Sequence, residues 1–106
     1  MEPVSVGSKF VYVSPSGGPA VIIKPADNVA GLVIRTGMFS GGSGSVVATG
    51  ETIPMYLSDV RKVIAFMTGG ANAVQLQYPI YLPPGYGLWS FANSGAVISN
   101  ITYDLL

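Results

Sequence analysis

The stretch Val97-Ile-Ser-Asn-Ile-Thr-Tyr-Asp-Leu105 decides the fold class. In an extended chain successive side chains point to opposite sides. Val97, Ser99, Ile101, Tyr103 and Leu105 then share one face, while Ile98, Asn100, Thr102 and Asp104 share the other. The same alternation recurs in Val74-Gln75-Leu76-Gln77-Tyr78, with the apolar residues on one side and the glutamines on the other. A sheet with one buried face reads this way.

Outward from these segments the pattern repeats in short β-branched and aromatic runs, broken by turn residues every eight to twelve positions. Strands are expected near Lys9–Val13, Ala20–Lys24, Ala30–Thr36, Ser45–Thr49, Ile53–Leu57, Lys62–Met67, Val74–Tyr78, Leu88–Ala92 and Val97–Leu105. The punctuation between them is Ser14-Pro-Ser-Gly-Gly-Pro19, Gly41-Gly-Ser-Gly44, Gly69-Gly70 and Pro83-Pro-Gly85. Pro25, Pro54 and Pro79 mark strand ends or edges, because proline has no N–H to give to a ladder. Ala20–Ile23 and Lys62–Met67 are apolar on both faces, as in strands covered by a second sheet or a neighbouring subunit. Helix has little support: only Ser58–Lys62 could make a turn, with Ser58 as its N-cap, and the β-branched residues that follow favour extended structure. The expected fold is all-β: a single antiparallel two-sheet sandwich over residues 1–106, with residues 1–8 as an extended N-terminal arm. A jelly roll is favoured over an immunoglobulin-like sandwich, for which the Cys…Trp…Cys framework is missing.

Composition then narrows the function. Only ten of 106 residues are charged, five basic and five acidic, where an ordinary soluble domain carries roughly 26. Hydrophobic residues make up 49% of the chain, and histidine and cysteine are absent. A monomer of this mass exposes about 5,600 Å², which ten charges cover thinly. Surfaces of that kind are often covered by other protein, and with zero net charge copies of the chain do not repel one another. Lys9, Lys24, Arg35, Arg61 and Lys62 are scattered, which argues against nucleic acid. No apolar run reaches the 18 or so residues that span a membrane. The opening Met1-Glu-Pro-Val-Ser-Val-Gly-Ser-Lys-Phe10 lacks the basic start and apolar segment of a signal peptide.

The chemistry-bearing residues are equally sparse. Glu2, Asp27, Glu51, Asp59 and Asp104 are spread along the chain, mostly beside turn residues, and nothing in their spacing makes an acid–base pair. Asp27-Asn28 and Asp59 are expected to bond side chain to backbone in turns. The serines have no histidine to activate them. Gly41–Gly50 lacks the ending of a phosphate-binding loop, and Asp27-Asn28 is too little for a calcium site. No enzymatic activity, cofactor or metal is expected.

The aromatics carry more information. Tyr78, Tyr81, Tyr86, Trp89 and Phe91 fall within fourteen residues, around Leu82-Pro-Pro-Gly-Tyr-Gly87. Core packing is favoured, because alternating aromatics on strands are usually core; a platform for sugar rings and anchors of a subunit interface are the other two readings. Met38-Phe39 open a Gly/Ser loop, from which they either fold back onto the sandwich or insert into a partner. The interface candidates are Met38, Phe39, Leu82, Pro83, Pro84, Tyr86 and Trp89.

Tyr81-Leu-Pro-Pro-Gly-Tyr-Gly-Leu-Trp89 and the closing Ser99-Asn-Ile-Thr-Tyr-Asp-Leu-Leu106 resemble the last hairpin of small jelly-roll virion proteins of tailed bacteriophages, the capsid decoration or cement type. In such proteins a Pro-x-Gly-Tyr-Gly turn precedes a strand and the chain stops in a tyrosine-containing strand. The similarity extends loosely over most of the chain, including the Gly/Ser loop and the lack of histidine and cysteine. The resemblance implies a structural virion protein, made in the host cytoplasm, that binds the major capsid protein or another virion protein. It implies a homo-oligomer, dimer or trimer, and carries over no catalytic residue. The other function class is a receptor- or carbohydrate-binding head domain, as in a phage tail fibre or a lectin-like module, using Trp89 and the nearby tyrosines.

Overall fold

The computed structural model describes residues 5–14, 16–42, 44–53, 62–66 and 73–106, with the backbone alone for 16, 17 and 93–95. Within them lie β1 (Lys9–Val13), β2 (Ser16–Ile23), β3 (Leu32–Ser40), β4 (Val46–Gly50), β5 (Lys62–Phe66), β6 (Ala73–Gln75), β7 (Ile80–Leu82), β8 (Gly87–Ala96) and β9 (Ile98–Leu105). A single 3-10 turn, Pro25–Asp27, is the only helical element among the described residues. The protein is an antiparallel two-sheet sandwich. One sheet runs β1-β9-β3, with β6 and β7 end to end along the far side of β3; the other runs β2-β8-β4-β5.

The pairings follow one rule. Lys9 pairs with Tyr103, Val21 with Trp89, Met38 with Gln75 and Val46 with Phe66. The first half of the chain therefore reads forward while the second reads backward, as in one long hairpin. A second set of ladders joins β3 to β9 and β4 to β8, and these roll the hairpin into two layers. β6 and β7 continue a single line along β3, since Met38 faces Gln75 and Ile34 faces Ile80. The line breaks between them, where Pro79 cannot donate to the ladder.

Between the sheets lies one apolar cluster that includes Ile22, Leu32, Ile34, Phe39, Val47, Leu82, Leu88, Val97 and Ile101. The alternation expected for the last strand holds where it matters most: Val97, Ser99 and Ile101 are buried, and Ile98 is exposed. Several expectations change, beginning with β2, which starts at Ser16 inside the stretch expected as turn. β3 extends through Met38 and Phe39, which are strand residues rather than the start of a loop. A register shift between Ile34 and Thr36 inserts one residue, Arg35, and so inverts the facing of everything after it. That bulge turns Phe39 into the core and Met38 out of it. Ile80–Leu82, expected to be loop, is a strand, and Tyr78 lies outside β6. The expected strand Ile53–Leu57 and the candidate turn at Ser58–Lys62 lie almost wholly outside the described residues, as does Asp59 with its expected turn bond.

Ser99 stands opposite Phe39 in the β3–β9 ladder, both fully buried. The small side chain leaves room for the large one. Its Oγ has no hydrogen-bond partner among the described residues, and a buried hydroxyl without a partner is a net cost. Ser99→Ala should therefore stabilise the fold by about 1 kcal/mol and raise Tm by roughly 4 °C. A fall in Tm would show that the hydroxyl is satisfied.

Candidate interaction surface

The outer face of the β1-β9-β3 sheet is assembled by its ladders. Phe10 lies beside Thr102, and Thr102 beside Thr36; Tyr12 lies beside Asn100, Asn100 beside Met38, and Met38 beside Gln75. Ile98 and Ser40 form the next row. Phe10 is 80% exposed, Tyr12 60% and Met38 47%. These are aromatic and thioether side chains on a surface otherwise made of hydroxyls and amides. A shallow depression of about 340 Å³ lies among Phe10, Thr36, Met38, Gln75, Asn100 and Thr102.

The charges on this face neutralise each other. Arg35 Nε donates to Asp104 Oδ2 at 2.9 Å, and the Ser8 backbone N–H donates to Asp104 Oδ1 at 2.8 Å. The Ser8 backbone bond, followed by the Arg35 bond, holds the Asp104 carboxyl below the ordinary carboxylate range. Next to it the Gly7 N–H donates to Thr102 Oγ1 at 2.9 Å, and Thr102 and Thr36 share a hydroxyl–hydroxyl bond of 2.6 Å. Residues 7 and 8 of the N-terminal arm thus lie across β9. Gly7 is needed there, because a Cβ would collide with the Tyr103 backbone.

A second apolar locus forms at the Pro83–Tyr86 turn. The Tyr86 N–H donates to the Pro83 carbonyl at 3.2 Å, with Pro84 and Gly85 as the central residues. Gly85 has φ of 85°, the left-handed conformation that the third position of a type II turn demands. Asn28 anchors this turn from within. Its side-chain Nδ2 donates to the carbonyls of Pro83 at 2.7 Å and Tyr86 at 2.9 Å, while its own carbonyl accepts from Gly85 N–H at 2.9 Å. The expected side-chain-to-backbone bonding at Asp27-Asn28 is thus made by Asn28, across 55 residues rather than within its own turn. Lys62 Nζ donates to the Tyr86 hydroxyl at 2.7 Å and lies 4.4 Å from the ring centre.

The seven candidates named from sequence are divided by these two loci. Met38 lies on the outer sheet face; Pro83 and Pro84 are exposed at the turn, and Tyr86 is half-buried beside them. Phe39, Leu82 and Trp89 are buried at 0, 1 and 4% exposure, so they offer nothing to a partner. Phe39 and Leu82 belong to the cluster between the sheets, whereas Trp89 is buried outside that cluster. Of the aromatic group, Tyr78 and Tyr81 are exposed and Trp89 is not, so Trp89 cannot act as a stacking platform. Phe10, Tyr12 and Ile98 were missed. Lys9-Phe-Val-Tyr-Val13 is apolar on both faces, and nothing in that pattern tells which face turns inward.

The opposite sheet also presents apolar residues outward. Val46, Ala48 and Trp89 are buried yet stand apart from the central cluster, and Val21, Val63 and Phe66 nearby are exposed. Among the described residues no three carboxylates gather as a metal site, and no helix is long and apolar enough to cross a membrane. Comparison with protein-family models, with curated proteins and with solved structures finds no match to this chain.

Two measurements test this geometry. Asn28→Ala removes two part-buried bonds that its buried side chain donates and should cost about 2–3 kcal/mol, lowering Tm by roughly 10 °C. An unchanged Tm would mean that the turn holds without its anchor. For Asp104 the folded carboxyl is more acidic than the unfolded one. Its stabilising effect is complete above the ordinary pKa of about 4 and is lost as pH falls through the lower folded value. A Tm-against-pH profile should therefore decline in that acid range, and Asp104→Asn should remove part of the decline.

Proposed function

We propose that this chain is a non-enzymatic structural protein of a bacteriophage virion, binding the outside of the capsid as a decoration or cement protein. The observation that carries the reading is the outer face of the β1-β9-β3 sheet. It exposes Phe10, Tyr12 and Met38 among uncharged polar side chains, and Arg35 and Asp104 on it are paired with each other. Interface centres are depleted in charge and enriched in aromatics and methionine. A free surface has no need of either property.

Strand order supports the resemblance to jelly-roll virion proteins. Successive strands alternate between sheets except at β4–β5 and β6–β7, and β1, β2, β3 and β4 pair in turn with β9, β8, the β6/β7 line and β5. A long hairpin rolled into two layers, of five and four strands, supports the jelly-roll reading. The immunoglobulin arrangement groups its strands differently. Reinforcement of a shell then needs no chemistry. A protein that binds only the assembled shell stabilises it by RT ln(1 + [L]/Kd), repeated at every lattice site.

A glycan- or receptor-binding head is the second reading, and exposed Tyr78 and Tyr81 are the side chains that favour it. The two diverge in one experiment. Purified chain added to particles that lack it should co-sediment with them and raise the temperature at which the shells rupture. Phe10→Lys or Met38→Lys should weaken that binding at least tenfold. Saturating chain that neither sediments with the particles nor shifts their rupture overturns the proposal.

A further inference from the structure

Four strand lines bound the two sheets laterally: β1 and the β6/β7 line in one, β2 and β5 in the other. A free edge offers unpaired N–H and C=O groups to any other strand, and proteins blunt such edges with proline, bulges and charge. Three of the four are blunted here. β2 carries Pro19 and two register shifts. In β5, Ala65 faces Val47 and Val63 faces Ala48, so Ile64 is left over as a bulge. The β6/β7 line is broken ahead of Ile80.

β1 has no proline, bulge or break, and its one charge, Lys9, stands at its first residue. Lys9 to Val13 match Tyr103 to Ser99 one for one, without proline and without a bulge. Its other side pairs with no described strand. The residues just before it do not cover that side, because Gly7 and Ser8 turn the opposite way to bond Thr102 and Asp104 over β9. Phe10 and Tyr12 stand on the outer face right at this edge, while Val11 and Val13 pack against the core.

We propose that two copies of this chain join through β1, antiparallel about a two-fold axis at Val11, so that their sheets run on as one. The occupant follows from the strand's own sequence, which is complementary to itself in this register. Lys9 of each copy faces Val13 of the other, so the two ammonium groups lie at opposite ends and no like charges oppose. Phe10 faces Tyr12 twice, giving two cross-strand aromatic pairs on the outer face. All five residues are matched, whereas axes at Phe10 or Tyr12 leave part of the strand unopposed. The two-fold makes the contact isologous and closed, so pairing stops at the dimer. Zero net charge adds no long-range repulsion. The inference stands apart from the virion reading, since it needs no partner but a second copy.

The test uses the full chain and its mass in solution, by light scattering and sedimentation. The expected mass is twice the 11.0 kDa of the chain. Phe10→Lys/Tyr12→Lys sets lysine against lysine at both cross-strand positions, and the mass should fall to that of one chain. Phe10→Glu/Tyr12→Lys removes the same two rings but sets glutamate against lysine, and the dimer should persist. Both positions are exposed, so each variant should keep the wild-type circular dichroism spectrum; that spectrum checks folding independently. A wild-type chain that stays monomeric at millimolar concentration overturns the proposal, as does a dimer unaffected by the double lysine variant. Loss of the dimer in both variants overturns the register and the edge pairing with it.

Discussion

β9 holds its sheet together. It lies between β1 and β3, and among the described strands it is the only partner β1 has. It also supplies Ser99 and Ile101 to the core and Asp104 to the ion pair that tethers the N-terminal arm. These are contacts between the two ends of the sequence. The sheet is therefore complete only with β9 in place, and the β1–β9 pairing is among its most distant in sequence. The antiparallel ladders compensate for that separation together, because each pairing shortens the loop that the next one must close.

The same arrangement explains where the charges went. A fold made by rolling one hairpin has two inner faces to fill and two outer faces to solvate. This chain fills the inner faces with aliphatic side chains and one phenylalanine, and covers the outer ones largely without ions. Arg35 and Asp104 show how the few available charges are used: they fix the arm and the β3 bulge rather than solvate the surface. What stays outward is Phe10, Tyr12 and Met38 on one sheet and Val63 and Phe66 on the other. Burying such surface against other protein removes apolar area from water at little desolvation cost.

The exposed aromatic face and the rolled hairpin meet at β1. Its outer edge pairs with no described strand, and its outer side chains are the most exposed aromatics of the sheet among the described residues. The turn at Pro83–Tyr86 is different in kind. Asn28 locks it from inside, so its prolines are presented on a rigid support, which lowers the entropy lost if they meet a partner.

Sequence alone determined the class of structure. Alternation in Val97–Leu105, the spacing of turn residues and the lack of helix-forming segments specify antiparallel strands, because period 2 with one apolar face permits little else. It also limited the chemistry, since neither histidine nor cysteine is present. Tertiary structure decided which apolar residues face outward. The bulge at Arg35 inverted β3, burying Phe39 and exposing Met38, and no local pattern marks a bulge in Leu32–Ser40. Phe10 and Tyr12 lie in a strand apolar on both faces, so their exposure follows from which side β9 and the core occupy. Asn28 bonds to residues far along the chain, and a long-range hydrogen bond leaves no trace in spacing. Local propensity is a property of neighbours in sequence; the side of a sheet that meets water is a property of what packs against the other.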